Sequence, residues 1–117
     1  MRKKALFLSL SLVFSLFLAG CGGGKVVDTK PILFFKTSCP HCQNVEEFIT
    51  QNQIREQYSF SEVEVNGDRS NAQLFSDKSK ECKLDQNNLG VPMFYADGQC
   101  YLGDEDIINY FKQKLSI

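Results

Sequence analysis

Apolar and polar residues change their spacing along the chain in a way that predicts alternating strands and helices. A continuous apolar run at 32–35 is typical of a strand that is buried on both faces. From Pro40 to about Gln53 the apolar positions recur at helical spacing, and a proline suits the first turn of a helix. Period-two alternation over 58–65 predicts a second strand, with an irregularity at 61–62.

The middle of the chain predicts a second helix and then a hairpin. A polar segment at about 70–83 carries a weak apolar face, which indicates a helix. The segments 91–96 and 99–102 are predicted strands, because Asp-Gly at 97–98 is a strong signal for a two-residue hairpin turn.

A final amphipathic helix is predicted after the hairpin. Gly103 turns the chain and Asp104 is expected to cap the helix. Its apolar stripe consists of Ile107, Ile108, Phe111 and Leu115. The order β-α-β-α-β-β-α, with a right-handed crossover between the first two strands, predicts an α/β fold. We expect a four-stranded mixed sheet with helices on both faces.

The first twenty residues have the layout of an export signal. Residues 2–4 are basic and 5–18 are apolar apart from three serines. The run is shorter than the roughly 20 apolar residues of a spanning helix. It ends at Ala19-Gly20, directly before Cys21.

Leu18-Ala19-Gly20-Cys21 resembles the lipobox of bacterial lipoproteins. The resemblance implies that Cys21 is acylated, becomes the first mature residue and anchors an extracytoplasmic protein to a bacterial membrane. An ordinary signal peptide, cut near residue 19 or 20 and leaving a spare thiol, remains the alternative. The expected division is a signal peptide at 1–20, a lipidated cysteine with a flexible Gly-rich tether at 21–30, and one domain at 31–117.

Composition narrows the function classes further. The chain has 117 residues, 43% of them hydrophobic, and a formal net charge of −1. This length favours one core, and the hydrophobic content excludes a disordered chain. The absence of a basic surplus argues against nucleic acid as a partner. We expect a monomer.

The candidate chemistry is the segment Cys39-Pro40-His41-Cys42, which lies where the first strand ends and the first helix begins. Unpaired backbone N–H groups at a helix N-terminus favour negative charge, and the thiolate is the nucleophile in disulfide exchange. Cys39 is therefore the predicted nucleophile and Cys42, one turn later, its resolving partner. His41, together with Pro40, is expected to tune the redox potential by stabilising the reduced form.

Three segments together resemble the glutaredoxins and other thioredoxin-like proteins. Residues 36–42 are similar to their active-site segment, and the Pro-His pair between the cysteines matches periplasmic disulfide-introducing oxidases. Residues 89–92 resemble the family's Val-Pro turn before the third strand, and 101–104 its glycine-containing turn before the last helix. The resemblance covers 31–117 and implies a thioredoxin-like fold of the glutaredoxin type.

The resemblance also implies roles for residues outside the cysteine pair. Pro92 is expected to be cis, and with Val91 to face the cysteines and shape a groove for an extended substrate. Lys36 matches a position that contacts glutathione in glutaredoxins. Gly90 and Asp104 depart from the family pattern, which leaves glutathione use open.

Cys82 and Cys100 form a second cysteine pair in the predicted domain. In an exported protein an even number of domain cysteines favours pairing, so we expect a structural disulfide between them. Two inert buried thiols, or a second exchanging pair, are the alternatives.

The sequence thus predicts a membrane-anchored extracytoplasmic thiol–disulfide oxidoreductase that acts on protein or small thiol and disulfide substrates. It is expected to need no metal or organic cofactor, because the redox equivalents are held by a redox-active disulfide. A Cu(I) carrier that uses two thiolates and a non-catalytic binding module of the same fold remain alternatives.

Overall fold

The computed structural model describes residues 30–117. The predicted signal peptide, Cys21 and all of the tether except Lys30 lie outside the described residues. Within the described part, the elements in chain order are β1 (Ile32–Phe35), α1 (Pro40–Gln51), α2 (Ile54–Gln57), β2 (Ser61–Glu64), α3 (Arg69–Glu81), β3 (Met93–Ala96), β4 (Gln99–Leu102) and α4 (Gly103–Leu115). None of the helices in this range is long and apolar enough to cross a membrane.

The strands form one mixed sheet in the order β2-β1-β3-β4. β1 runs parallel to β2, with Ile32 opposite Ser61, and antiparallel to β3, with Leu33 opposite Phe94. β3 and β4 form the antiparallel hairpin. The expected four-stranded mixed sheet is confirmed, and the short helix α2 is an addition to the expected order.

Helices cover both faces of this sheet, and each face has its own hydrophobic cluster. On one face α1, α2 and α4 pack against alternate residues of β1 and β3; the buried members are Leu33, Val45, Ile49, Ile54, Phe94, Ala96, Ile107 and Phe111. On the other face α3 packs, and the buried members are Ile32, Phe34, Phe75, Met93 and Tyr95. Burying each large apolar side chain contributes about 1.5–3 kcal/mol.

The chain between α1 and β2 differs from the prediction. Gln53 has a left-handed backbone (φ 52°), so α1 stops at Gln51 and the fully buried Ile54 opens a separate short helix. β2 begins only at Ser61, so the irregularity predicted at 61–62 is wrong. Phe60 instead packs its ring against Phe94 and Phe111 of the core.

The hairpin turn forms as predicted, whereas the predicted start of the last helix is wrong. Asp97 and Gly98 both have positive φ, and Tyr95 pairs with Cys100, as a two-residue loop requires. The predicted cap at Asp104 is wrong: α4 begins at Gly103, the residue at its N-cap makes no side-chain hydrogen bond, and Asp104 lies inside the first turn.

Cys82 and Cys100 are joined by a disulfide, with their Cα atoms 5.9 Å apart. Cys82 is the C-cap residue of α3, and Cys100 lies on the edge strand β4. Both pack beside the cluster under α3, on the sheet face opposite to α1. The bridge therefore attaches α3 to the sheet and lies away from the helix that carries Cys39 and Cys42.

Removing this bridge should destabilise the domain, because it closes a loop with a sequence separation of 18. In a background in which Cys39 and Cys42 are alanine, replacing Cys82 and Cys100 by alanine should lower the free energy of unfolding by about 3 kcal/mol. Urea unfolding followed by circular dichroism measures it. The same background with dithiothreitol is the control and should show a similar loss; a change below about 0.5 kcal/mol would contradict the stabilising role.

Candidate active site

Cys39 occupies the N-cap position of α1, and its sulfur lies at the positive end of that helix. Its backbone is extended (φ −95°, ψ 116°), and Pro40 takes the first helical position. The Cys42 backbone N–H donates to the Cys39 sulfur across 3.2 Å. This contact replaces the hydroxyl or carboxylate of a usual cap with a thiol, at a helix end where backbone N–H groups are available to a bound or attacking group.

Cys42 is the shielded member of the pair. Cys42 is 6% exposed, whereas Cys39 is partly exposed. Both are free thiols in this structure. Burial, followed by the hydrogen bond with Cys39, raises the pKa of Cys42 to about 11. The sulfurs are therefore unequal, as a nucleophile and a resolving thiol need to be.

The segment before β3 lies against the Cys39 sulfur. The Val91–Pro92 peptide bond is cis, and the Cys39 thiol donates to the Val91 carbonyl across 3.6 Å. Pro92 is buried, and its carbonyl accepts from the Gly103 N–H at 3.0 Å. The structure thus brings together two of the predicted landmarks, 52 residues apart in sequence, and connects them to the start of α4.

His41 faces α4. Its Nδ1 lies 3.1 Å from Oδ2 of Asp104, and the same oxygen accepts from the Asn44 amide at 2.7 Å. The hydrogen bond from Asn44, and then that from His41, lowers the pKa of Asp104 to about 2. Sequence reasoning missed the roles of Asn44 and Asp104. The spacing of His41 and Asn44, three residues apart on one helix face, was a usable signal for a shared partner.

Lys36 lies on the Cys42 side of the site, where a cavity of about 550 Å³ opens beside α1. Cys42, Gln43 and Arg55 are among the other lining residues. Arg55 is held by Glu46 and Glu62. The presence of Arg55 in this wall could not be expected from the sequence, because it depends on the unpredicted helix α2.

Within residues 30–117, no three His, Cys, Asp or Glu side chains converge in a way that could hold a metal ion. Two of the four cysteines in this range are bonded to each other, so Cys39 and Cys42 are the free thiols among the described residues.

Comparison with known proteins identifies solved structures with a similar fold. No protein-family model matches the chain, and no curated protein matches it significantly. Reduced glutaredoxin from Escherichia coli is similar in structure, with a TM-score of 0.53 and 18% identity over 75% of this chain and 99% of that one. The holo form of glutaredoxin C1 from Populus tremula x tremuloides gives 0.49 and 22%, over 74% of this chain and 76% of that one. Oxidized glutaredoxin 2 from Chlamydomonas reinhardtii gives 0.49 and 19%, over 74% and 82%. The first similarity confirms a glutaredoxin-like fold.

The inequality of the two thiols predicts selective alkylation. In the reduced protein at pH 7, iodoacetamide should modify Cys39 and leave Cys42 almost untouched, because a pKa of about 11 leaves about one Cys42 in ten thousand as thiolate. The rate at Cys42 should rise about tenfold per pH unit as the pH approaches 11. Peptide mapping by mass spectrometry after timed quenching measures both rates.

The matched control is Cys39→Ser, in which Cys42 should still react slowly, since burial is the largest cause of its raised pKa. Equal modification of both cysteines at neutral pH would contradict the assigned difference between them.

Proposed function

We propose that the protein is a thiol–disulfide oxidoreductase that exchanges disulfides through Cys39-Pro40-His41-Cys42. One observation carries this proposal: the Cys39 sulfur sits at the N-terminus of α1, between the Cys42 N–H and the Val91 carbonyl. The sulfur thus lies at a helix N-terminus, where negative charge is in general favoured, and it is open to a substrate from the side of the Val91–Pro92 segment.

The reaction proceeds by two displacements on sulfur. In the reducing direction, the Cys39 thiolate attacks a substrate disulfide, a mixed disulfide forms, and the first substrate sulfur leaves as a thiolate that takes up a proton. The Cys42 thiol then loses its proton and attacks the Cys39 sulfur, which releases the second substrate thiol. Two electrons move from the cysteine pair to the substrate, and the oxidising direction is the reverse.

The position of Cys42 explains why this second step follows the first. Its thiol is buried beside Cys39 and protonated at neutral pH, so it does not compete as an external nucleophile. Once Cys39 is part of a mixed disulfide, Cys42 is the nearby sulfur, and its high effective concentration compensates for its low thiolate fraction. No metal or organic cofactor takes part, because both electrons reside on sulfur.

The Val91–Pro92 segment is the proposed substrate groove. It precedes β3 and meets the Cys39 sulfur through a backbone carbonyl. A substrate whose cysteine reaches Cys39 in an extended conformation can use the main chain beside Val91 for hydrogen bonds. Polypeptides and small disulfides both satisfy this requirement, and Lys36 offers a cation on the Cys42 side of the pair.

Replacing the resolving thiol should trap the first intermediate. Cys42→Ser should accumulate mixed disulfides that are released by dithiothreitol, because the second displacement is removed while Cys39 stays reactive. Non-reducing electrophoresis followed by mass spectrometry of the adducts, after reaction with 2-hydroxyethyl disulfide, measures it. Cys39→Ser is the matched control and should form none; an adduct-free Cys42→Ser protein would refute the enzymatic role and favour a binding module.

We also propose that this oxidoreductase acts as a monomer outside the cytoplasm, anchored to a bacterial membrane through lipid on Cys21. The support is the sequence Leu18-Ala19-Gly20-Cys21 after an apolar run. A flexible chain of nine residues has in general an r.m.s. reach of about 15–18 Å, a distance sufficient to lift a small domain clear of the headgroups. Several acyl chains together give stable attachment.

Removal of the anchor should release the protein from membranes. Cys21→Ala should lose labelling by a clickable palmitate analogue and move from the detergent phase to the aqueous phase in Triton X-114 partitioning. Cys39→Ala is the control with one cysteine fewer and should partition as the unmodified protein does. An unlabelled protein with Cys21 intact would point to an ordinary signal peptide instead.

A further inference from the structure

We propose that Asp104 is a positioning residue for disulfide exchange: it holds His41 by Nδ1 so that the opposite ring nitrogen, Nε2, gives a proton to the sulfur that leaves the substrate. This inference rests on the proposed function and assigns a role to a carboxylate outside the cysteine segment.

The carboxylate of Asp104 points toward α1. A carboxylate in the first turn of a helix normally has its own backbone N–H groups as partners. Oδ2 of Asp104 in addition reaches across to α1, where it accepts from both Asn44 and His41, and these two bonds lower the pKa of the carboxyl more than its own backbone N–H does. Asn44 and His41 are one turn apart, so a single oxygen is fixed by two donors on the helix that carries the cysteines.

The negative charge of Asp104 determines which ring nitrogen of His41 donates to it. With its pKa lowered to about 2, Asp104 is an anion over the whole range in which proteins function, and an anion can only accept. His41 therefore donates from Nδ1. Nε2 is left for external partners, and the side chain is 70% exposed, so that a bound substrate can reach it.

The first turn of α4 also contacts the other wall of the site. Gly103, the residue before Asp104, donates to the Pro92 carbonyl. Two consecutive residues of α4 thus bind the Val91–Pro92 segment and α1. These two contacts set the position of His41 relative to a substrate bound at Val91. Glu105 and Asp106 share the turn, are exposed and lack this contact.

Proton transfer from His41 accompanies cleavage of the substrate disulfide. The Cys39 thiolate forms a bond to one substrate sulfur, the substrate S–S bond breaks, and its electron pair goes to the second sulfur. Protonated His41 transfers its Nε2 proton to that sulfur, which leaves as a thiol. The neutral ring keeps its Nδ1–H on Asp104 and regains the Nε2 proton from water. An alkyl thiolate, which is basic, needs this proton, whereas a heteroaromatic thiolate leaves without it.

The test compares two uncharged disulfides, 2-hydroxyethyl disulfide and 4,4′-dithiodipyridine. The leaving sulfur of the first needs a proton, and that of the second does not. In the reduced Cys42→Ser protein only the first displacement occurs, and its second-order rate constant is measured by acid quenching and mass spectrometry or by the absorbance of the released pyridinethione. Asp104→Asn should slow the reaction with 2-hydroxyethyl disulfide about tenfold, and that with 4,4′-dithiodipyridine less than twofold.

Three further variants keep the test decisive. His41→Gln should show the same selective loss, and adding Asp104→Asn to it should cause no further loss, because both act through one proton transfer. Glu105→Gln removes a charge from the same turn and should change neither rate by more than twofold. Equal slowing with both disulfides in Asp104→Asn, or no change with either, would overturn the inference. If the starting protein reacts with neither disulfide, the proposed function itself fails.

Discussion

The site depends on the contact between the Cys39 sulfur and the N-terminus of α1. The strand β1 delivers the chain to that point, and Pro40 begins the helix without a backbone N–H to satisfy. The Cys42 N–H then points at the sulfur, so the residue that supplies the second thiol also supplies a hydrogen bond to the first. One helical turn therefore accounts for both the proximity of the two cysteines and the difference between their surroundings.

The first turn of α4 completes the surroundings of that sulfur from the opposite end of the chain. Gly103 has a positive φ of 83°, a conformation that disfavours a side chain, and its N–H binds the Pro92 carbonyl. Asp104 follows at once and binds α1. The site is thus assembled from the start of α1, the Val91–Pro92 segment and the start of α4. These follow β1, precede β3 and follow β4, and they meet at one end of the strands because β1 and the β3–β4 hairpin are neighbours in the sheet.

Features encoded by neighbouring residues were predictable from the sequence, and features that depend on contacts between distant residues were not. The hairpin at Asp97-Gly98 and the start of α1 at Pro40 follow from turn and helix chemistry alone. The left-handed Gln53 and the late start of β2 arise because Ile54 and Phe60 are drawn into the core, and tertiary packing overrides a local pattern. Asp104 was assigned to its own helix because the nearness of Asn44 to it is a property of the folded chain.

The two cysteine pairs show how one small domain can separate a stable disulfide from a reactive dithiol. Cys82 and Cys100 lie on the face covered by α3, joined across a helix end and an edge strand, with no helix N-terminus to favour their thiolates. Cys39 and Cys42 belong to the helix on the other face. The sheet lies between them, so direct attack of one pair on the other would require the domain to open, and Cys39 is left to meet substrates from outside.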